Sequence, residues 1–231
     1  MKAKFLFIQL CFYIVFLILD ISTYHVKLSS TIKLLSIGLC LIWLILNFIS
    51  AKKRGESKSL IHSYKWMAII MTFTFTSDIF LLFTSKYTVG IATFILVQLF
   101  YAFRLRNVKL KNALGLVFMC SAFLVLMILM SFKFGSSFSD NFMLVEVIVY
   151  ALLFLSNLFL YGKRSKENMQ YRWMFIGLCL YAVCDLQVAI YNMPSSFTVP
   201  SLLTEISAVG MWLFYLPGQV ILTLSADKID V

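Results

Sequence analysis

The sequence predicts an all-α fold: a polytopic membrane protein of eight transmembrane helices, arranged as two parallel four-helix repeats. Three observations predict it. Hydrophobic residues make up 61% of the 231-residue chain and charged residues 13%, with a mean hydropathy of +0.93. Soluble domains are nearer half apolar and a quarter charged. Eight apolar runs follow one another with short breaks, and each is close to the roughly 20 residues needed to cross a bilayer. The basic residues also alternate between crowded and sparse breaks. Together these exclude a disordered chain, a disulfide-stapled secreted domain and an ordinary soluble enzyme. Eight spans use roughly 160 residues, so residues 1–231 read as a single integral membrane domain.

The runs are placed in order as follows. The first, 4–21, follows the basic start Met1-Lys2-Ala3-Lys4. No small-residue cleavage site follows, since the chain continues Leu19-Asp20-Ile21-Ser22, so it reads as a retained span. The second, 31–50, ends in Ala51-Lys52-Lys53-Arg54-Gly55. The third, 64–84, opens on Tyr64-Lys65-Trp66-Met67. The fourth, 87–104, is separated from it by Ser85-Lys86, because 64–104 is too long for one helix to cross even when tilted. The fifth, 111–131, stops before Gly135-Ser136-Ser137, and the sixth, 142–162, before Lys163-Arg164. The seventh, 170–192, opens on Tyr171-Arg172-Trp173-Met174 and ends at Met193-Pro194. The eighth, 201–224, contains Pro217-Gly218. Cys11, Cys40, Cys120, Cys179 and Cys184 all fall within runs, where cysteine acts as a small packing residue.

Charge orients the bundle. With the N-terminus inside, the inner segments hold 16 basic residues, among them Lys52, Lys53, Arg54, Arg104, Arg106, Lys163 and Arg164. The outer segments hold four: Lys27, Lys33, Lys86 and Lys133. Such a split in short loops predicts cytoplasmic N- and C-termini in a cell membrane, and an even number of spans. The net charge of +10 then serves topology against anionic lipid, and no nucleic-acid partner is expected.

Tyr64-Lys65-Trp66-Met67 and Tyr171-Arg172-Trp173-Met174 lie 107 residues apart, and each Trp is followed 12 residues later by an aspartate, Asp78 and Asp185. Lys/Arg and Trp recur at membrane edges in any case, but two aspartates at equal depth do not. The reading is a parallel repeat, with repeat one at about 1–110 and repeat two at about 111–231.

Twelve residues of helix carry each aspartate about 18 Å past its interfacial Trp, near the midplane. An ionised carboxylate there costs at least about 2.5–3.5 kcal/mol on insertion scales, and intramembrane carboxylates mark function by default. The bland alternative is a structural dyad sharing one proton. No basic residue is expected at their depth. Glu146 and Glu205 lie one turn into spans six and eight near the outer face, within reach of water, and Asp20 ends span one on the same side. Gln98 and Tyr101, at i and i+3, share a face of span four, and Gln219 follows Pro217-Gly218. Gln98, Gln219 and Asn157 also suit plain hydrogen bonding between helices.

The two histidines, His25 and His62, fall in breaks. An intramembrane His₃ zinc site and a Ser-His-Asp triad therefore lack their imidazoles, and no phosphate-binding glycine motif is present. Neither metal nor cofactor is expected, and any chemistry falls to carboxylates and water. Parallel repeats with midplane carboxylates also fit a proton-coupled carrier of lipid or a small molecule.

Ser77-Asp78-Ile79-Phe80-Leu81-Leu82 in span three, Gly90 with Phe94, Gln98 and Tyr101 in span four, Cys184-Asp185-Leu186 in span seven, and Tyr215 with Gln219, Ile221, Leu222 and Ser225 in span eight resemble the YhhN family. These are small eight-span membrane proteins whose characterised members are lysoplasmalogenases. Cys184 departs from the small residue, such as Ser, expected there. The resemblance implies a membrane hydrolase that cleaves the vinyl ether bond of a lysophospholipid substrate, giving a fatty aldehyde and glycerophospho-ethanolamine or -choline. It implies Asp78 and Asp185 as the acid/base pair, with Gln98, Tyr101, Gln219, Glu146 and Glu205 binding or orienting substrate and water.

Overall fold

Long apolar runs with few turn residues become unbroken helices, because in lipid each backbone group must find its partner within the segment. The computed structural model describes residues 2–22, 26–84, 86–106, 136–192 and 200–227. Among these lie seven helices: α1 (Lys2–Ser22), α2 (Val26–Lys53), α3 (Lys58–Phe83), α4 (Tyr87–Leu105), α5 (Ser136–Arg164), α6 (Met169–Tyr191) and α7 (Ser201–Leu224). All seven are long and apolar enough to cross a membrane, and they correspond to runs one to four and six to eight. The fifth run, 111–131, lies outside the described residues, as do Cys120 and His25. This is an integral membrane protein.

Three helices begin well before their apolar runs. α2 starts at Val26 rather than 31, α3 at Lys58 rather than 64, and α5 at Ser136 rather than 142. Backbone hydrogen bonding does not need apolar side chains, so polar first turns extend a helix beyond the hydrocarbon. Capping sets two of the starts. The Ser57 side chain accepts from the Leu60 N–H at 3.3 Å and that of Asn168 from the Tyr171 N–H at 2.9 Å, each satisfying one orphan donor of a first turn. Gly55, at φ 65°, makes the left-handed turn that ends α2 and opens its connection to α3.

Each helix packs on the next, and α7 returns to α2 and α1, closing the bundle into a ring. α4 and α5 run parallel. Asn157 Nδ2 donates to the Gln98 carbonyl at 2.8 Å, Tyr161 Oη to the Tyr101 carbonyl at 3.1 Å and Arg164 Nη1 to the Leu105 carbonyl at 3.1 Å, at nearly constant sequence separation. Residues that the proposed repeat makes equivalent occupy unlike surroundings: Trp66 is buried against Phe100 and Phe103, whereas Trp173 is exposed.

One end of the bundle is basic and gathers both ends of the described chain. Lys2 pairs with Asp227 at 3.3 Å, and Tyr64 Oη donates to the same carboxylate at 2.9 Å. Arg104 lies beneath them. Its guanidinium donates to Ser63 Oγ at 3.0 Å, to the Ser225 carbonyl at 3.2 Å and to the Met174 sulfur at 2.9 Å, tying α3 and α6 to the carbonyl end of α7. A cation there also suits the helix dipole. The exterior carries Phe7, Ile18, Leu152, Phe159 and Leu186 fully outward, as a lipid-facing surface requires.

Pro217 lies inside α7 and supplies no N–H to the carbonyl four residues back. That carbonyl belongs to Leu213, and Tyr13 Oη of α1 donates to it at 3.2 Å. Tyr13→Phe is expected to lower thermal stability in detergent by about 1 kcal/mol. In a Pro217→Ala background, whose restored N–H serves the same carbonyl, the loss should shrink towards zero.

Candidate active site

Asp78 is placed by a close approach of α3 to α4. Ser77 Oγ donates to the Gly90 carbonyl at 2.6 Å, and a Cβ on Gly90 would lie 2.5 Å from Leu81 Cδ2. A side chain on Gly90 would have to displace Leu81, and the close approach leaves the neighbouring Asp78 turned inward, where it is 3% exposed. Tyr215 of α7 donates its hydroxyl to this carboxyl, 2.8 and 2.7 Å from the two oxygens.

A second glycine contact sets α6 against α7. A Cβ on Gly177 would lie 2.7 Å from Leu222 Cδ2 and 3.3 Å from the Gly218 carbonyl. Small residues of this kind let membrane helices pack backbone to backbone. The approach brings Tyr181 of α6 to α7, where Gln219 Nε2 donates to its hydroxyl at 2.7 Å. One turn further along α6, the half-buried Asp185 accepts from Tyr150 Oη of α5 at 2.8 Å.

These tyrosines belong to one aromatic wall. The Tyr215 and Tyr181 rings lie 5.0 Å apart, Tyr181 and Phe94 6.3 Å, and Phe94 and Tyr150 6.2 Å. Phe154 braces the far side, stacked on Tyr150 at 6.0 Å. The wall runs from the carboxyl of Asp78 to that of Asp185, with contributions from α4, α5, α6 and α7. The two carboxyls accept their hydrogen bonds from different tyrosines on different helices. Each has its own tyrosine, and the buried Cys184 thiol lies within electrostatic reach of both. Neither aspartate takes part in an ion pair among the described residues.

Comparison with known families matches the model described as the YhhN family to residues 40–226, a stretch that takes in the whole wall and both carboxyls. The chain belongs to the YhhN family. No curated protein and no solved structure matches it significantly.

The other residues singled out from the sequence of this YhhN protein divide into two sets. Gln219 joins the wall through Tyr181. Gln98 is buried one turn beyond Phe94 on α4, and its side-chain oxygen accepts from Asn157 Nδ2 at 3.0 Å, tying α4 to α5. Tyr101 is buried further along α4 beside Tyr161. Glu205 is exposed in the first turns of α7. Glu146 corrects the expectation that it reaches water. It is 2% exposed, because it lies on the inward stripe of α5 with Phe142, Tyr150 and Phe154.

The sequence reading passed over Tyr150, Tyr181 and Lys33, and took Tyr215 only as part of the family resemblance. Tyr150 stands four residues after Glu146, Tyr181 four before Asp185 and Tyr215 four before Gln219, so each shares a helix face with a singled-out polar residue. Lys33 counted only as an outer-side charge, yet it is buried within α2. It pairs with Asp20 at 2.7 Å, and its ammonium lies 4.6 Å from the Trp212 ring. Trp212 in turn meets Tyr215 edge-on at 5.1 Å.

Proposed function

We propose that this YhhN protein is a membrane hydrolase acting on lysoplasmalogen, with Asp78 and Asp185 as its acid/base pair. The observation that carries the proposal is two intramembrane carboxyls, held apart by separate tyrosines along one aromatic wall. Membership of a family with lysoplasmalogenase members supports the substrate class. In this reading the basic end faces the cytoplasm, by the positive-inside distribution, and the acid-rich half of the bundle faces outward.

The chemistry needs two carboxyls in different states. One, protonated, gives its proton to the vinyl carbon β to the ether oxygen, and the double-bond electrons form that C–H bond. The carbon bearing oxygen becomes an oxocarbenium ion. The other carboxylate stabilises the cation and takes a proton from the attacking water, giving a hemiacetal. Collapse breaks the C–O bond to glycerol. The leaving oxygen takes the second carboxyl's proton, and the hemiacetal hydroxyl returns a proton to the first. Ether and water become aldehyde and alcohol, with both carboxyls restored. Glycosidases divide the work between two carboxyls on a similar cation, and positioned proton transfer contributes about 10²–10⁴-fold. Tyr215 and Tyr150 fix the carboxyls through their hydroxyls, and the wall's ring faces suit a passing cation.

The carrier reading is weaker. Pro217-Gly218, a helix-breaking pair of the kind an alternating-access hinge uses, leaves α7 continuous from Ser201 to Leu224, with its freed carbonyl satisfied by Tyr13. The test is aldehyde release by purified protein in detergent. Release from the vinyl ether lysolipid and none from its ester counterpart supports the proposal. No aldehyde from the vinyl ether lipid overturns it.

A further inference from the structure

The inward stripe of α5 runs Phe142, Glu146, Tyr150, Phe154, at intervals of four residues. Phe142 and Phe154 are buried and Tyr150 is half-buried. Neighbours at this interval share a helix face, with Cβ atoms about 5–6 Å apart. Glu146 therefore has an aromatic ring one turn to either side. It is 2% exposed, and among the described residues neither of its carboxyl oxygens has a hydrogen-bond partner.

A buried ionised carboxylate without a partner is costly, and a cation placed against it offsets that cost. The protein supplies none among the described residues. At this end of the bundle Lys33 is held by Asp20, while Lys27 and Lys86 are exposed. A metal ion is a poor fit, because hard cations need several oxygen ligands, Phe142 offers none and the Tyr150 hydroxyl is engaged with Asp185. An organic ammonium fits both features, with a carboxylate for its charge and ring faces for cation–π contact.

We infer that Glu146, between Phe142 and Tyr150, binds the ammonium group of the substrate's headgroup. The inference rests on the lysolipid reading above, and it makes the headgroup amine the selected feature. One turn beyond Glu146, Tyr150 holds Asp185, so a bound headgroup stands at the Asp185 end of the wall.

Binding to purified protein in detergent tests this without turnover. The probes are ester lysophosphatidylethanolamine, ester lysophosphatidate of the same chain length, and free ethanolamine. The wild type is expected to bind the ethanolamine lipid about tenfold or more tighter than the lysophosphatidate, the size of a charge-assisted contact. Glu146→Gln should abolish that preference while leaving lysophosphatidate affinity unchanged. Retention of the preference by Glu146→Gln, or its absence in the wild type, overturns the assignment. Tight binding of ethanolamine alone without lysolipid preference also overturns it, since the site would then take a free amine. The preference seen in a wild type that releases no aldehyde leaves the amine site standing and removes only the hydrolase reading.

Discussion

Asp78→Asn lowers aldehyde release from lysoplasmalogen by about three orders of magnitude, within the range for loss of a positioned acid or base. Asp185→Asn does the same. The carboxamide keeps the shape of the side chain and can still accept a hydrogen bond from Tyr215 or Tyr150, so both variants should insert and elute as the wild type does. The double variant should be little worse than either single one, because residues acting as a unit lose their effect together. Rate measurement at saturating lipid, with size-exclusion and thermal profiles alongside, checks all three statements. Near-complete activity in either folded variant removes that carboxyl from the mechanism.

Lys33→Met is expected to destabilise the protein by about 3–5 kcal/mol, the cost of breaking a buried pair and leaving one charge behind. The side chains of Lys33 and Asp20 are 8% and 13% exposed, so solvent screening offers little relief. Ser29 Oγ also donates to Asp20, but a hydroxyl does not neutralise the charge. The double variant Lys33→Met with Asp20→Leu should recover most of the loss, since apolar replacements of a buried pair are often neutral. Thermal unfolding in detergent reads both. Equal losses in the single and double variants would show that packing around Phe16 and Trp212, rather than charge, carries the effect.

The spans were legible because lipid imposes one rule, apolar length, that composition cannot disguise. Their polar first turns were not, since hydropathy is blind to helix outside the hydrocarbon. Lys33, at the start of the run 31–50, was read as an outer-face charge for that reason: with α2 beginning at Val26 it stands two turns inside a helix and turns inward. Both aspartates were legible because a carboxylate at membrane depth has few innocent explanations. Their tyrosine partners were hidden by background. With 16% aromatic residues, a tyrosine one turn from a polar residue is not rare enough to stand out. Glu146 was read by its depth alone, near the outer face. Its direction was written in the four-residue spacing of Phe142, Glu146, Tyr150 and Phe154, which marks a buried stripe. The pairing of Asp78 with α7 and of Asp185 with α5 depends on close helix approaches at Gly90 and at Gly177 with Gly218, and such contacts emerge only once the helices are assembled.

The central claim is that an intramembrane carboxylic acid protonates the vinyl carbon. Turnover in D₂O, with the aldehyde trapped at once by reduction, tests it most directly. The account predicts one deuterium on the carbon next to the former carbonyl, formed at the wild-type rate and lost with Asp78→Asn or Asp185→Asn. Aldehyde without carbon-bound deuterium, or enzymatic release that persists in both variants, would contradict it.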